Sequence, residues 1–279
     1  MYAVTPCHAG SGSSVGVVDL PIQRERHTNW PIIQASGMKG AIRAHFDRFK
    51  NALQDQLQED QFANITEIIF GSEKSAEYAG AVSVGDAKIL AFPMRSNVAP
   101  FVWITCPAVL KRLNKDLALA GRKSLDLQAI ENLEKEQALW LAGKFKENGR
   151  VLLEDMEVSP VASMTLPDTL KCFKDTERLL VVHDEVFDYG VSNCTSVMAQ
   201  IKIDQKTGTT DGGSLRYQEE LPADSLLYSL IFWGDSCDPD SSQKAETIRS
   251  YIEKEVVAEH LQVGGDETMG RGIFSLNWL

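Results

Sequence analysis

The sequence predicts a mixed α+β protein with a ferredoxin-like sheet and helical insertions, in a single domain over residues 1–279. Short apolar segments rich in β-branched and aromatic residues, such as 81–92 and 101–107, are typical of strands. Segments with helical periodicity separate these strands, which favours helices packed against one sheet. No linker, internal repeat or low-complexity tract divides the chain, so we expect one elaborated domain.

The first elements are a short strand at 2–6, a long loop and a helix. Ser36 is a predicted N-cap for this helix, because its hydroxyl can accept a hydrogen bond from a free amide of the first turn. The helix is predicted to end near residue 53. Four residues at helical spacing form the face expected to meet the core: Ile42, Phe46, Phe49 and Leu53.

The remaining elements alternate between helices and strands. We predict a short helix at 61–71, strands between 80 and 105, helical segments between 107 and 149 with a break near Gly121 and an end at Gly143, a strand at 150–158, a helix at 166–180, a core segment at 179–191, a strand at 224–234, a helix at 241–260 and a final strand after a glycine turn.

Residues 191–220 predict a β-hairpin. The segment 195–204 alternates as a strand should, 205–213 is a cluster of turn residues, and 214–222 returns as the second strand. Glu219 and Glu220 lie at the end of the second strand. Either they form a solvated strand end or they assist chemistry at a nearby site.

Composition excludes several classes of protein. Hydrophobic residues make up 43% of the chain, which is enough for a full core. No apolar run reaches the ~18 residues of a membrane helix, and no signal sequence opens the chain, so we expect a soluble cytoplasmic protein without a membrane partner. The five cysteines are scattered and unpaired in sequence, which predicts reduced thiols rather than a zinc site or disulfides.

The charge distribution is uneven. The net charge is −11, which argues against a general nucleic-acid coat. Residues 22–50 contain six Lys or Arg and two acids, so this segment is +4 and the rest of the chain is −15. Such a segment can bind a phosphate backbone locally, although on charge alone a solvated helix face is the simpler interpretation.

Asp19 is the most distinctive acid of the glycine- and serine-rich first loop. It follows Val17 and Val18 and precedes Pro21. Composition alone favours a turn carboxylate that accepts hydrogen bonds from local amides. The functional alternative is a carboxylate directed at a scissile phosphate, where it would orient an attacking hydroxyl or help to hold a hydrated divalent ion. His8 and His27 are candidate proton carriers, and each has an ordinary structural alternative.

The segment Gly264–Gly272 nearly matches a phosphate-binding P-loop. Arg271 and Gly272 stand where Lys and Ser or Thr are required, and an apolar strand rather than a helix follows. ATP binding is therefore disfavoured. A glycine turn can still bring backbone amides close to phosphates, and a plain tight turn is the alternative. No dinucleotide, zinc-protease, serine-hydrolase or calcium-loop motif is present.

Several stretches together resemble the RAMP superfamily, and within it the repeated backbone subunits of Cmr-type (type III-B) CRISPR effector complexes. The resemblance spans nearly the whole chain and depends on the combination. The stretches are GSGSSVGVVDLPIQRERHT, SGMKGAIR, DAKILAFPMRS with FVWITCPAVL, YQEELPADSLLY and GGDETMGRG. One departure is Asn29, which stands where this family usually has glycine.

The resemblance implies a modified RRM-like palm with helical insertions and a protruding thumb, matched by the hairpin at 191–220. It implies that copies stack head to tail along a guide crRNA, together with other subunits of the type III-B complex. Each thumb would disrupt the duplex of guide and complementary target RNA at regular intervals. The guide-binding positions of the family are matched by Ser36, Lys39 and Arg43 and by Gly264, Gly265, Met269, Gly270 and Arg271.

The resemblance also implies a metal-dependent endoribonuclease that cuts the target RNA at those intervals. Attack by a 2′-hydroxyl would leave a cyclic phosphate and a 5′-hydroxyl, with Mg²⁺ or Mn²⁺ as cofactor. Asp19 matches the aspartate of the family's first loop and would be both the catalytic residue and, with RNA oxygens, the metal ligand. His8, Glu219 and Glu220 are candidates to assist it.

Two function classes remain open at this point. The chain is either a target-cutting backbone subunit or a guide-binding scaffold subunit without nuclease activity. Asp19 within the segment VVDLP favours the first. A free-standing small-molecule enzyme has little support, because no cofactor motif is complete.

Overall fold

The structure, a computed structural model, describes residues 1–57, 59–72, 78–142, 145–146, 149–163, 178–210 and 212–279. The chain forms two compact units. Unit 1 contains Met1–Ala9, Ile33–Ala87 and Ser229–Trp278, and unit 2 contains Gly10–Ile32, Lys88–Tyr228 and Leu279. Both units combine segments that are distant in sequence. The prediction of a single domain over residues 1–279 stays a prediction.

Unit 1 is built from helices and short antiparallel strands. Its strands are β1 (Tyr2–Ala3), β3 (Val82–Val84), β13 (Ile231–Trp233), β14 (His260–Gln262) and β15 (Ile273–Ser275), and its helices are α1 (Ala35–Phe49), α2 (Glu59–Phe70) and α5 (Ala245–Ser250), which continues as a π-helical segment, Tyr251–Val256. Strand β15 pairs with both β1 and β14, and β13 pairs with β3. β2 (Ile32–Ile33) is the short strand before α1.

Helix α1 packs its apolar face into the core of unit 1. Met38, Ile42 and Phe46 are buried, and the Phe46 ring lies 5.7 Å from the Phe70 ring of α2, edge to face. The predicted stripe is right at Ile42, Phe46 and the buried Leu53, which follows α1 in a 3₁₀ turn. It is wrong at Phe49, which is 49% exposed and lies beside His45 with ring centroids 4.6 Å apart.

The predicted N-cap of α1 is also wrong. The helix begins at Ala35, so Ser36 lies inside the first turn and Gln34 occupies the cap position without a side-chain cap. The first free amide is satisfied by another element, because Ala35 N donates to Asp86 Oδ1 at 2.6 Å. A carboxylate from a distant turn therefore replaces the local serine hydroxyl.

In its described residues, unit 2 contains a large mixed sheet and two α-helices. Its sheet strands are β4 (Ala87–Arg95), β5 (Phe101–Thr105), β6 (Gln137–Ala142), β7 (Val151–Leu153), β8 (Met156–Ser163), β9 (Leu179–Val182) and β12 (Leu226–Tyr228), in the order β12-β4-β5-β9-β6-β8-β7. The pairs β5–β9 and β6–β8 are parallel, and the other pairs are antiparallel. The helices are α3 (Pro107–Leu119) and α4 (Asp184–Asn193).

Two predicted elements in this region are wrong. The expected helix that closes at Gly143 is a 3₁₀ turn, Gln128–Ile130, followed by β6. Strand pairing decides this outcome, because Ala138, Leu139 and Leu141 are buried between β9 and β8, and that tertiary context overrides helix propensity. The expected single strand at 150–158 is the hairpin β7–β8, which turns at Glu154 with φ 53°.

The hairpin at 191–220 contains the antiparallel pair β10 (Ser196–Gln200) and β11 (Arg216–Glu220). Its register places Ser196 opposite Glu220 and Gln200 opposite Arg216. The predicted helix at 166–180 falls mostly outside the described residues, as do Gly143 and Cys172. No helix in the described part of the chain has the length and apolar character needed to span a membrane.

Candidate functional site

The first loop, residues 10–22, lies along the outer edge of β11. Gly10 bridges to Ile22 at the base of the loop, and Ser11 N donates to Pro21 O at 3.0 Å. Leu20 N donates to Tyr217 O at 3.0 Å, and Glu219 N donates to Leu20 O at 2.9 Å. These bonds use the backbone groups of β11 that an edge strand leaves free, so the loop has a defined place on the hairpin.

Asp19 is fixed by the same strand. Its Oδ2 accepts a hydrogen bond from the Tyr217 amide at 2.7 Å, while its backbone oxygen accepts from Ser14 N at 2.8 Å. The side chain is half-exposed, and no described residue donates a hydrogen bond to Oδ1. The site therefore holds the carboxylate in one direction and leaves one oxygen accessible to a ligand.

Glu219 is a buried residue of this site rather than a solvated strand end. It is only 7% exposed, and Glu220 is 2% exposed, so the interpretation of a solvated strand end is wrong for both. Glu219 Oε2 accepts from Ile22 N at 3.0 Å. Its Oε1 accepts from Arg24 Nη2 at 2.5 Å and from Thr195 Oγ1 at 2.7 Å. The Glu219 carboxylate, on the second strand of the hairpin, thereby connects the first loop with Thr195 at the start of the hairpin.

Arg24 extends these contacts into the segment that follows the loop. Its Nη1 donates to Asn29 O at 2.8 Å and to Val191 O at 2.9 Å, in addition to the Nη2 contact with Glu219. Asn29 has a φ of 61°, the left-handed conformation that glycine adopts readily and asparagine tolerates. The departure from glycine at this position therefore preserves the turn.

A second layer of contacts supports the same segment. Arg112 Nη1 donates to Glu25 Oε1 at 2.6 Å, and its guanidinium lies 4.9 Å from the Trp30 ring centroid. Trp30 Nε1 donates to Asp188 Oδ1 at 2.5 Å on α4. The roles of Arg112, Thr195 and Tyr217 were not predictable from the sequence, because their partners lie far away in sequence and no local pattern marks them.

The glycine turn at 264–272 belongs to unit 1, and His8 contacts it. Gly265 N donates to His8 O at 2.9 Å, and a Cβ on Gly264, which has a φ of 88°, would lie 2.6 Å from that oxygen. Met269 is 53% exposed at the end of the 3₁₀ turn Glu267–Met269. Strand β15 follows the turn, as the argument against a P-loop predicted. His8 is thus placed with this turn, whereas Asp19 is placed in unit 2.

The other predicted guide-binding residues lie on α1. Ser36 is exposed in the first turn, and Lys39 is half-buried without an ion pair to the described part of the chain. Arg43 Nη1 donates to Gly71 O at 2.7 Å, so part of its guanidinium binds the carbonyl that directly follows α2. Lys39 and Arg43 share a face of the helix, since four residues separate them.

Three cations of the basic segment at 22–50 are paired with acids in the fold. Arg24 pairs with Glu219, Arg48 Nη1 lies 2.8 Å from Glu267 Oε1, and Lys50 Nζ lies 3.1 Å from Asp47 Oδ1. The hydrogen bond with Glu267 raises the pKa of Arg48. Two of these acids come from outside the segment, so the local charge of +4 overstates the positive charge that a phosphate backbone would meet.

The described residues include no group of three or more His, Cys, Asp or Glu side chains that could hold a metal ion. Asp19 fits a divalent ion only as a single carboxylate ligand. An oxygen-rich substrate would have to supply the other ligands. His27, a candidate proton carrier, has a side chain that is 80% exposed and lies 3.9 Å from Glu25.

Burial raises the pKa of two described thiols. It raises the pKa of Cys106 well above the usual range, and it raises the pKa of Cys194 to about 11, with Glu154 and Asp155 adding to the effect. A raised pKa keeps a thiol protonated and unreactive. Cys7, Cys106, Cys194 and Cys237 are free thiols.

The combination of this fold and loop defines a class of protein. The family model of the RAMP superfamily matches residues 1–275, and the chain belongs to this superfamily. Among curated relatives, the CRISPR system Cmr endoribonuclease Cmr4 of Pyrococcus furiosus is 33% identical, over 98% of this chain and 92% of its own. The CRISPR system CMR subunit Cmr4 of Saccharolobus solfataricus is 27% identical, over 99% and 94%.

Solved structures show the same fold. A chain of the Type III-B Cmr-beta complex bound to cognate target RNA superposes with a TM-score of 0.77 at 23% identity, covering 99% of this chain and 94% of its own. Oligomeric Cmr4 from Pyrococcus furiosus superposes with a TM-score of 0.65 at 28% identity, covering 98% and 93%. The predicted mixed α and β architecture with a large sheet is confirmed at this level.

Proposed function

We propose that this chain is a repeated backbone subunit of a type III-B CRISPR ribonucleoprotein, and that it cleaves target RNA complementary to a bound guide crRNA. The observation that carries the proposal is Asp19, whose Oδ2 is fixed by the Tyr217 amide while Oδ1 has no donor among the described residues. The Pyrococcus relative, 33% identical over nearly the full chain, is named an endoribonuclease, which supports the same activity here.

The reaction requires little from the protein beyond the orientation of the reacting groups. A target nucleotide displaced from its duplex would bring its 2′-hydroxyl in line with the adjacent phosphate. Attack would form a cyclic phosphate and release a 5′-hydroxyl. Asp19 would orient that hydroxyl or accept its proton through Oδ1, and the fixed Oδ2 would keep the carboxylate in place.

The proposal includes a divalent ion, Mg²⁺ or Mn²⁺, at Asp19. When bound, such an ion supplies positive charge that stabilises the extra negative charge on the phosphate during attack. Asp19 would be its protein ligand, and RNA oxygens would complete the set. Glu219 is not a candidate acid or base in this proposal, because Ile22, Arg24 and Thr195 already donate to its two oxygens.

The guide would be bound through its backbone and not through its bases. In the proposal, Lys39 and Arg43 bind phosphates beside the exposed Ser36 near the start of α1. Gly264, Gly265 and Gly270 would let backbone approach the guide closely, with Met269 and Arg271 beside them. Sequence is then selected by pairing between guide and target, so an acidic protein needs few basic contacts.

The finer architecture follows from the same proposal. The sheet and its helices would form an RRM-like palm, and the hairpin containing β10 and β11 would be a thumb that separates guide from target at regular intervals. Copies would stack head to tail with the other subunits of the complex, in the cytoplasm. The crystal structure of oligomeric Cmr4 at 28% identity supports self-association.

The alternative is a scaffold subunit that binds guide and target without cutting. Reconstituted complex with Mg²⁺, with Mn²⁺ and with chelator distinguishes the two. The proposal predicts regularly spaced cuts that chelator prevents, and a single 2′-deoxynucleotide at a cut position should prevent that cut alone. Tight target binding without cuts under every condition would favour the scaffold.

A further inference from the structure

The side chain of Glu219 lies between the first loop and the hairpin, and its contacts are distributed over both. Oε2 accepts from the Ile22 amide at the end of the loop, at 3.0 Å. Oε1 accepts from Arg24, two residues further along, and from Thr195 at the start of the hairpin. With both oxygens engaged and the residue 7% exposed, Glu219 is bound within the protein.

The Glu219 carboxylate and Asp19 belong to one hydrogen-bond network. Strand β11 contributes the Tyr217 amide to Asp19 and the Glu219 side chain to Ile22, two residues apart on the same strand. The loop is therefore attached to β11 on both sides of Pro21. Residues 19–22 cannot shift along the strand without breaking either the bond to Asp19 or the bond to Glu219.

Arg24 makes the attachment costly to break. Its guanidinium is largely buried and also donates to the carbonyls of Asn29 and Val191. Removing the Glu219 charge would leave this cation without its counter-charge, and a buried charge that loses its partner is strongly destabilising locally. The pair is thus suited to hold one loop conformation.

We propose that Glu219, through its pair with Arg24 and its bond to Ile22, is a positioning residue that sets the place of the Asp19 carboxylate for cleavage. This inference rests on the proposed function, because it assigns Glu219 a part in the same reaction without contact to the RNA. Catalysis by orientation is sensitive to misplacement of about 1 Å, so loosening the loop should lower the rate strongly.

The test compares Glu219→Gln with Thr195→Val in the assembled complex and in the free subunit. Glutamine keeps the volume of glutamate but removes the charge and replaces one acceptor with a donor, so at least one of the donors from Ile22 and Arg24 loses its acceptor. Thr195→Val removes a contact to the same carboxylate that does not involve the first loop. It is therefore the matched control.

Two measurements distinguish a positioning role of Glu219 from a general loss of structure. Single-turnover cleavage by Glu219→Gln should fall by about 10- to 100-fold at saturating target, while target affinity stays at the wild-type value. Amide hydrogen exchange in residues 11–24 of the free subunit should become faster in Glu219→Gln, without a change in the strands of the large sheet. Thr195→Val should change neither readout strongly.

The Arg24→Gln, Glu219→Gln double variant adds a third measurement. If the two residues act as a unit, the double variant cuts no more slowly than the slower single variant. Wild-type cleavage by Glu219→Gln, or unchanged exchange in residues 11–24, would overturn the inference. A loss of target affinity equal to the loss of rate would also overturn it, since that pattern indicates a structural role.

Failure of the proposed function would look different. A wild-type complex that binds target and never cuts, or an Asp19→Asn complex that cuts normally, would reject the nuclease assignment at Asp19. The role of Glu219 in holding the loop would then be decided by hydrogen exchange alone, with faster exchange supporting it and unchanged exchange overturning it.

Discussion

One oxygen of the Asp19 carboxylate is held by the Tyr217 amide, and this bond sets the geometry of the candidate site. A backbone amide on a paired strand moves less than a flexible side chain, so it holds an acidic group precisely in one direction. Two backbone hydrogen bonds between Leu20 and β11 act in the same sense: Leu20 N donates to Tyr217 O, and Glu219 N donates to Leu20 O. The geometry of the site therefore depends on the strand as well as on the Glu219–Arg24 pair.

At His45 the structure predicts a pH-dependent stability. Burial lowers the pKa of His45, against an opposing hydrogen bond to Val256 O and with a further lowering from Arg48. The unfolded chain takes up a proton near pH 6.5, before the folded protein does, so stability should fall as pH decreases through that region.

Urea unfolding at about pH 7.5 and about pH 5.5 checks this prediction. The unfolding midpoint of the wild type should drop more between these values than that of His45→Gln, which cannot titrate. The comparison between the two proteins removes the contribution of the carboxylates that titrate in both. An equal drop in both proteins would show that His45 is not the cause.

Alanine substitutions at Gly272 and Gly270 can be compared to measure the cost of a steric clash at a backbone with positive φ. Both have a positive φ, 76° and 72°, but a Cβ on Gly272 would overlap the Val263 carbonyl oxygen, whereas Gly270 has no atom within 4 Å of its Cβ position. Gly272→Ala should cost roughly 2–4 kcal/mol of unfolding free energy, and Gly270→Ala about 1 kcal/mol.

Denaturant unfolding of the two variants measures this difference. Equal losses would indicate that the conformational penalty of a positive φ dominates and that the close approach to Val263 relaxes at little cost. The prediction concerns stability only, so it can be tested without RNA.

The residues of the candidate site were predictable to very different degrees. Asp19 could be singled out because its setting among Val17, Val18 and Pro21 is local. The partner of Arg24 is Glu219, 195 positions away, and no periodicity connects them. A solvated strand end was one of two interpretations that the sequence left open for Glu219, while the fold buries this residue and pairs it with Arg24.

At the scale of elements, helix α1 supplies the candidate guide-binding surface. Lys39 makes no ion pair with the described part of the chain, whereas Arg48 is paired with Glu267 at 2.8 Å. Lys39 and Arg48 carry the same formal charge and lie on one helix. Comparing them therefore distinguishes the effect of charge from the effect of being available to bind a phosphate. Only an unpaired cation brings its full charge to a phosphate.

Lys39→Ala should weaken guide RNA binding and reduce the slope of log K against log salt by about 0.7, the value for one contact with a single strand. Arg48→Ala should change the slope less, because the Arg48 guanidinium already donates to Glu267 and so makes no phosphate contact that the variant would lose. Salt titrations of guide binding measure both quantities. A larger slope change for Arg48→Ala would contradict the assignment.

Elements with strong local signals were predicted well. Helix α1, the strands β4 and β5 and the pair β10–β11 combine clear periodicity with turn residues. The helix predicted at 125–143 was wrong because the apolar pattern of this segment suits a helix or a buried strand. Pairing with β8 and β9 decided between the two. The N-cap of α1 was wrong because Asp86 lies 51 positions from Ala35.

At the scale of the whole molecule, membership of the RAMP superfamily and near full-length alignment with Cmr4 relatives fit the mixed α and β fold. The class of fold was predictable because alternating strands and helices run through the chain. The composition of the two compact units was not, since each unit combines segments that are far apart in sequence. Neither hydropathy nor spacing reports such long-range pairing.

Target-RNA cleavage by complexes that contain Asp19→Asn, measured at saturating target with Mg²⁺, tests the role of Asp19. The matched control is Asp204→Asn, which changes a carboxylate in the turn of the hairpin, where it binds the Lys206 amide and has no contact with Asp19. We predict that Asp19→Asn binds guide and target as the wild type does but makes none of the regular cuts, and that Asp204→Asn cuts normally. Cuts at the wild-type rate from Asp19→Asn would contradict the account, because they would place the cleaving group elsewhere.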